Sequence, residues 1–263
     1  MLRRRLIPVL FLKDGWMVRS EDFQTHQFIG NPVIHVERMV QWEVDELIVI
    51  DISNGPESHF QHDRHDYKDL GVHNLKTFIS RISQDCRIPL TFGGGLRSFS
   101  QVSEVLQAGA DKVCLNTMLF DDTDELHHCI KAFGSQAIVA SVDYRVVDGK
   151  AIIYKDSGKT KTNFELLEWA LILEGMQVGE LLVNAVDRDG KSCGYDIEHL
   201  AQLAHCVSIP VIGCGGAGHQ RHFLKCFQNT NLSAVAAGNL FHFTENAYPR
   251  AKQYLSEKLV NIR

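Results

Sequence analysis

Residues 6–15, LIPVLFLKDG, and residues 137–150, AIVASVDYRVVDGK, are near-copies: an apolar run breaks at an aspartate and a glycine. They differ at one informative place, where the later copy ends its apolar run with Asp143 and the earlier one has Phe11. The echo extends further. Residues 89–95, PLTFGGG, answer residues 210–216, PVIGCGG, and Glu46-Leu47 answers Glu180-Leu181. Self-similarity of this kind marks a duplicated structural unit, here half of a larger fold.

Between the echoes the chain keeps a regular beat. Apolar runs at 6–12, 47–50, 88–92, 112–115, 138–142, 181–186, 211–213 and 233–237 read as strands buried on both faces. Helical spacing at 33–44, 75–82, 102–108, 126–133, 164–173, 197–204, 221–227 and 249–259 alternates with them; Pro249 is tolerated in a first turn. The polar residues 13–32 read as a long loop, residues 54–71 as an enlarged loop, and Asp148-Gly149 as the turn of a hairpin-like excursion. Eight strand–helix units with no spare segment predict a (β/α)8 TIM barrel with an internal half-barrel duplication, one domain over residues 1–263. A doubly wound open sheet is the alternative.

Composition narrows the class. With 44% hydrophobic and 22% charged residues the chain is globular, and a net charge of −5 argues against a nucleic-acid partner. Seven scattered cysteines without a CxxC spacing fit reduced thiols, and hence the cytoplasm, better than a disulfide frame or a zinc site. The apolar run after the basic residues 1–5 is too short for a membrane span and contains Pro8. The loop residues His59, His62, Asp63, His65 and Asp66 could ligate a metal, yet nothing in the pattern makes them converge, so no metal or other cofactor is expected.

In such a barrel, chemistry belongs to the ends of the strands. Gly93, Gly94 and Gly95 after the third strand, and the glycines of residues 214–218 after the seventh, let backbone N–H groups approach an anion. Asn116-Thr117 and Gly238-Asn239 add donors after the fourth and eighth. Either glycine cluster alone could be an ordinary turn; as a matched pair they suggest two phosphate cradles. Asp51, Asp143 and Asp189 also close strands, where a carboxylate either exchanges protons or caps a loop. Asp143, at the end of an apolar run, is the best candidate for proton transfer.

The motifs KDG at 13–15, DELIVIDI at 45–52, PLTFGGGLRS at 89–98, AGADKVCLNT at 108–117, FGSQAIVASVD at 133–143, DRDGKSCGYD at 187–196 and IPVIGCGGAG at 209–218 make the chain similar to the HisF family along its whole length. That family is the cyclase subunit of imidazole glycerol phosphate synthase. The resemblance implies a HisH-like glutaminase partner whose ammonia crosses the barrel to a phosphoribosyl-carboxamide substrate with two phosphates, giving imidazole glycerol phosphate and AICAR. It implies an ammonia gate at Arg5, Glu46, Lys112 and Glu180. Phosphate contacts fall at Gly95, Asn116 and Thr117 in one half, and at Asp189, Gly190, Gly216, Gly238 and Asn239 in the other. Gly238 and Asn239 replace the alanine and serine usual there. Of the family's two catalytic aspartates, one corresponds to Asp143 and the other falls on Phe11, which cannot exchange a proton.

Three functions follow as expectations. The first is a HisF-like paralogue that keeps the ammonia route but serves another acceptor, as in surface-polysaccharide pathways where, with a separate amidotransferase, an acetamido sugar becomes an acetamidino sugar. The second is the histidine-pathway cyclase itself, a lyase. The third is a scaffold that only activates the glutaminase.

Overall fold

The strands, in chain order, are β1 (Arg5–Lys13), β2 (Trp16–Glu21), β3 (Thr25–Gly30), β4 (Leu47–Asp51), β5 (Leu90–Gly93), β6 (Lys112–Leu115), β7 (Ile138–Val147), β8 (Lys150–Lys155), β9 (Thr160–Glu165), β10 (Glu180–Ala185), β11 (Val211–Cys214) and β12 (Ala234–Ala237). The computed structural model describes residues 3–21, 24–53, 74–84, 87–242, 244–259 and 261–263. Strands β1, β4, β5, β6, β7, β10, β11 and β12 pair in that order, all in parallel, and β12 returns to β1, which closes the (β/α)8 barrel.

Closure explains the unbroken apolar runs. Because side chains alternate across a strand, each strand serves two cores. Leu10, Leu47, Val49, Phe92 and Val113 point outward under the helices, while Ile7, Ile48, Val139, Leu182, Ile212 and Ala234 point into the barrel. Full burial of one such aliphatic side chain stabilises by about 1.5–3 kcal/mol relative to exposure.

The helices sit where their spacing predicted, and several begin at side-chain caps. Asn31 accepts a bond from Val33 N, with Pro32 opening the helix Pro32–Gln41, and Val33, Val36 and Met39 form its buried stripe. Ser98 accepts from Gln101 N ahead of Phe99–Gln107, and Asp122 accepts from Glu125 N ahead of Thr123–Phe133. The last helix, Ala247–Ser256, is fastened to the barrel floor by Tyr248. Its hydroxyl donates to Leu6 O at 3.0 Å and accepts from Asp45 N at 2.9 Å.

One prediction needs correction. Within residues 13–32, read from the sequence as a loop, the strands β2 and β3 pair in antiparallel fashion. They carry Trp16, Met17 and Val18 on one arm and Phe28 and Ile29 on the other, and β2 continues the antiparallel pairing with the upper end of β1. The predicted excursion at Asp148-Gly149 is the hairpin β7–β8, extended by β9. Residues 54–71, with their histidine cluster, lie outside the described residues.

Candidate functional site

At the floor, the first inward positions of four strands carry Arg5, Glu46, Lys112 and Glu180, and they close into a ring of alternating charge. Arg5 binds Glu46 at 2.5 Å and also Glu180, while Lys112 reaches both carboxylates at 2.9 Å. Thr91 Oγ1 adds a bond to Glu46 at 3.2 Å. Burial works to raise the Glu46 carboxyl, but Lys112 and Arg5 outweigh it and hold it below its ordinary value. By the same balance Glu46 and Glu180 keep the Arg5 and Lys112 cations above theirs, against the opposing effect of burial. All four predicted gate residues are therefore in one ring.

Two residues higher along these strands the lining turns apolar, with Ile7, Ile48, Cys114 and Leu182. Higher still it is mixed: Asn116 follows Lys112 and Cys114, and Asn184 follows Glu180 and Leu182, whereas Ile50 follows Glu46 and Ile48 and stays apolar. Here the mouth opens into two chambers. The first, about 260 Å3, is lined by Gly95, Asn116, Thr117, Asp143, Asn184, Arg97 and Lys159 among others. The second, about 340 Å3, is lined by Asp189, Gly190, Gly216, Gly238, Asn239, Arg19 and Ser20 among others. The two predicted sets of phosphate-binding positions thus fall into one chamber each.

The glycines have steric reasons. Gly94, at φ 105°, lies against the backbone of Asp51 at the end of β4; Gly215, at φ 97°, lies against that of Ala185 at the end of β10. A side chain at either place would collide with main chain, and few L-residues adopt that φ. The equivalence of these contacts in the two halves is the duplication seen in three dimensions.

Asp143 stands at the top of β7, 5% exposed, and burial pushes its carboxyl up to about 6 despite the hydrogen bond from Asn184 and the positive charge of Arg145. Asn184 Nδ2 donates to Oδ1 at 3.1 Å. Asn116 Nδ2 donates to Ser141 O at 3.0 Å and, at 3.4 Å, to the other carboxylate oxygen. Asn116 Oδ1 is buried and has no hydrogen-bond partner among the described residues. A group that titrates near neutrality, beside an unused acceptor in a cavity, is suited to moving protons.

The twin of this corner is different in kind. Asp143 is in register with Asn184; Phe11 is in the corresponding register with Ile50. Phe11 is 5% exposed and lines both chambers. A Cβ added at Gly238 would lie 3.3 Å from its Cε2, so ring and glycine interlock.

Other candidates find plainer roles. Asp51 accepts from Ser53 N at 2.9 Å and Ser53 Oγ at 2.6 Å, in the manner of a loop cap, and lines neither chamber. The Asn239 side chain clasps the backbone of Ser20, donating to its O at 2.6 Å and accepting from its N at 3.3 Å. Asn184, Arg19, Arg97 and Lys159 are chamber residues that sequence reasoning missed. For Asn184 the signal was present, since it sits two steps beyond Leu182 and four beyond Glu180 on an alternating strand.

A barrel with a charged floor, an apolar bore and glycine-rimmed chambers at the mouth is the architecture of a class of biosynthetic barrels: residues 5–247 match the family described as histidine biosynthesis protein. The chain belongs, more narrowly, to the HisF family. It is 35% identical to imidazole glycerol phosphate synthase subunit HisF of Hydrogenobaculum sp. (strain Y04AAS1) and 36% identical to that of Chlorobium luteolum, in both cases over the full length of both chains. It is also 32% identical to the HisF subunit of Thermotoga sp. (strain RQ2), covering 100% of this chain and 98% of the relative.

Proposed function

We propose that this protein is the ammonia-using barrel of a cytoplasmic, glutamine-dependent amidotransferase complex. A HisH-like glutaminase docks at the floor, ammonia enters through the ring of Arg5, Glu46, Lys112 and Glu180, and it meets an acceptor beside Asp143. Ammonium becomes small, uncharged ammonia once deprotonated, so an apolar bore passes it while the ring excludes larger ions. At the top, Asn116 Oδ1 and the Asp143 carboxylate are acceptors for its N–H groups, and Asp143 takes up and returns protons. No metal or organic cofactor enters this scheme.

The acceptor in this reading is an acetamido sugar, converted to an acetamidino sugar for a surface polysaccharide together with a separate amidotransferase. One observation carries it: the place facing Asp143 across the duplicated halves holds the apolar pair Phe11–Ile50. Closing an imidazole ring with two carboxylates needs a second acid–base group, whose loss costs about 10²–10⁴-fold in rate. The second reading, histidine-pathway cyclase, is favoured by the two glycine-rimmed chambers, one for each end of a two-phosphate substrate. In the third, the barrel only activates the glutaminase.

Growth decides between the first two. The gene is expected not to rescue a histidine auxotroph that lacks its cyclase; rescue overturns the paralogue reading. Replacing Asp143 by asparagine addresses the third: product formation is expected to fall while glutaminase activity stays, and retention of both would favour the scaffold.

A further inference from the structure

The two chambers meet at two side chains, Phe11 and Cys214, which line both. Phe11 is held from several directions. Its backbone pairs with Val18 on β2 and Ile50 on β4, and its ring lies against Gly238, where a methyl group would already come to 3.3 Å. The hairpin behind it is in turn clasped by Asn239, just past the end of the neighbouring strand β12, on the Ser20 backbone. Only 5% of its surface is accessible, so most of the residue is packed and what remains exposed faces the chambers. Each chamber has a cation of its own, Arg97 and Lys159 in the first and Arg19 in the second.

We propose that Phe11, interlocked with Gly238, is the specificity-determining residue of the mouth: it partitions the barrel top into two separate anion-binding chambers. An extended ligand with a phosphate at each end cannot span them, and the acceptor is a molecule with one anionic end, seated wholly in the Asp143 chamber. This rests on the reading of the mouth as the acceptor site. A cavity of about 260 Å3 suits a compact phosphorylated or nucleotide-linked sugar moiety, with its anion toward Gly95, Thr117, Arg97 and Lys159 and its reacting group toward Asp143.

Binding, measured by calorimetry on the isolated chain without glutaminase or ammonia, tests the partition. The probes are inorganic phosphate and the two-phosphate phosphoribosyl-carboxamide. When two linked groups reach two sites at once, affinity exceeds that of either alone by about 10²–10⁴-fold. The wild-type chain is expected to bind two phosphate ions and to hold the two-phosphate probe within about tenfold of inorganic phosphate. Phe11→Ala is expected to raise affinity for the two-phosphate probe by about 100-fold relative to that for inorganic phosphate measured on the same variant. Phe11→Leu, which keeps an apolar core residue but removes the ring, serves if Phe11→Ala does not fold. A wild-type chain that already binds the two-phosphate probe 100-fold more tightly than phosphate overturns the partition, as does a Phe11 variant with no gain. Saturation by fewer than two phosphate ions also overturns it, and at zero ions the reading of the mouth as an anion-binding acceptor site falls too.

Discussion

Asn184 Nδ2 lies 3.1 Å from Oδ1 of Asp143, a neutral donor against a carboxyl that burial has moved up to about 6. The folded state therefore binds this proton more tightly than the unfolded chain does. Its contribution to stability is present below about pH 4 and is lost as pH rises through about 6. A shift of roughly two units corresponds to at most about 3 kcal/mol. Asp143→Asn is expected to raise Tm at pH 7–8, to leave it unchanged below pH 4, and to cut ammonia-dependent turnover by about 10²–10⁴-fold. Thermal unfolding against pH, beside steady-state kinetics, checks both; an equal Tm offset at every pH would mean that the effect is not the titration.

The floor ring offers the opposite sign. The Glu46 carboxyl is held below its ordinary value, so its contribution is present at neutral pH and lost as pH falls through the depressed value. Glu46→Ala leaves Arg5 and Lys112 each one acceptor short and is expected to cost about 3 kcal/mol in chemical denaturation. If the ring admits ammonia, the milder Glu46→Gln reduces glutamine-driven turnover more than turnover driven by added ammonium salt. Equal losses in the two assays would count against a role in passage.

His35 and His242 pack edge to face with ring centroids 5.4 Å apart. Burial, with Arg38 nearby, lowers His35 to about 4, and burial, with His35 and Arg38 nearby, lowers His242 to about 3. Both are neutral when folded and take up protons on unfolding below pH 6.5, so stability present above that value drains away as pH falls toward 4. The slope approaches about 1.4 kcal/mol per pH unit per proton. His242→Leu is expected to flatten the dependence of Tm on pH between 6.5 and 4, which a scan of unfolding in that window would register.

Asn239 and Ser20 link the two ends of the barrel closure. Asn239→Ala removes both bonds to the Ser20 backbone and is expected to cost about 1–3 kcal/mol. Amide hydrogen exchange in the hairpin β2–β3 should accelerate, with the barrel strands unaffected; uniform acceleration would point to global destabilisation instead.

How far these features could be read in advance depended on whether their cause was local. Strands such as Lys112–Leu115 and helices such as Leu75–Gln84 were legible because burial on fixed faces imposes a period on the residues. The hairpin β2–β3 was not, since its arms are short, half exposed and rich in polar residues such as Arg19, Ser20, His26 and Gln27. Its twin, β8–β9, occupies the same place in the other half, so the duplication itself was the unused signal. At the mouth, Asp143 was visible as an ionisable group ending an apolar run, and the glycine clusters as a pair matched between the two halves. The interlock of Phe11 with Gly238 was not, because it joins positions 227 apart in the chain, and only closure of β12 onto β1 brings them together.

The alternation that places Glu180 at the floor, Leu182 in the bore and Asn184 at the mouth recurs on neighbouring strands, which stacks the interior in storeys roughly 6–7 Å apart along each strand. Such storeys are interchangeable parts. A protein engineer could transplant the uppermost storey from a relative, exchanging Phe11 together with Gly238, and keep the entrance two levels below in its original arrangement.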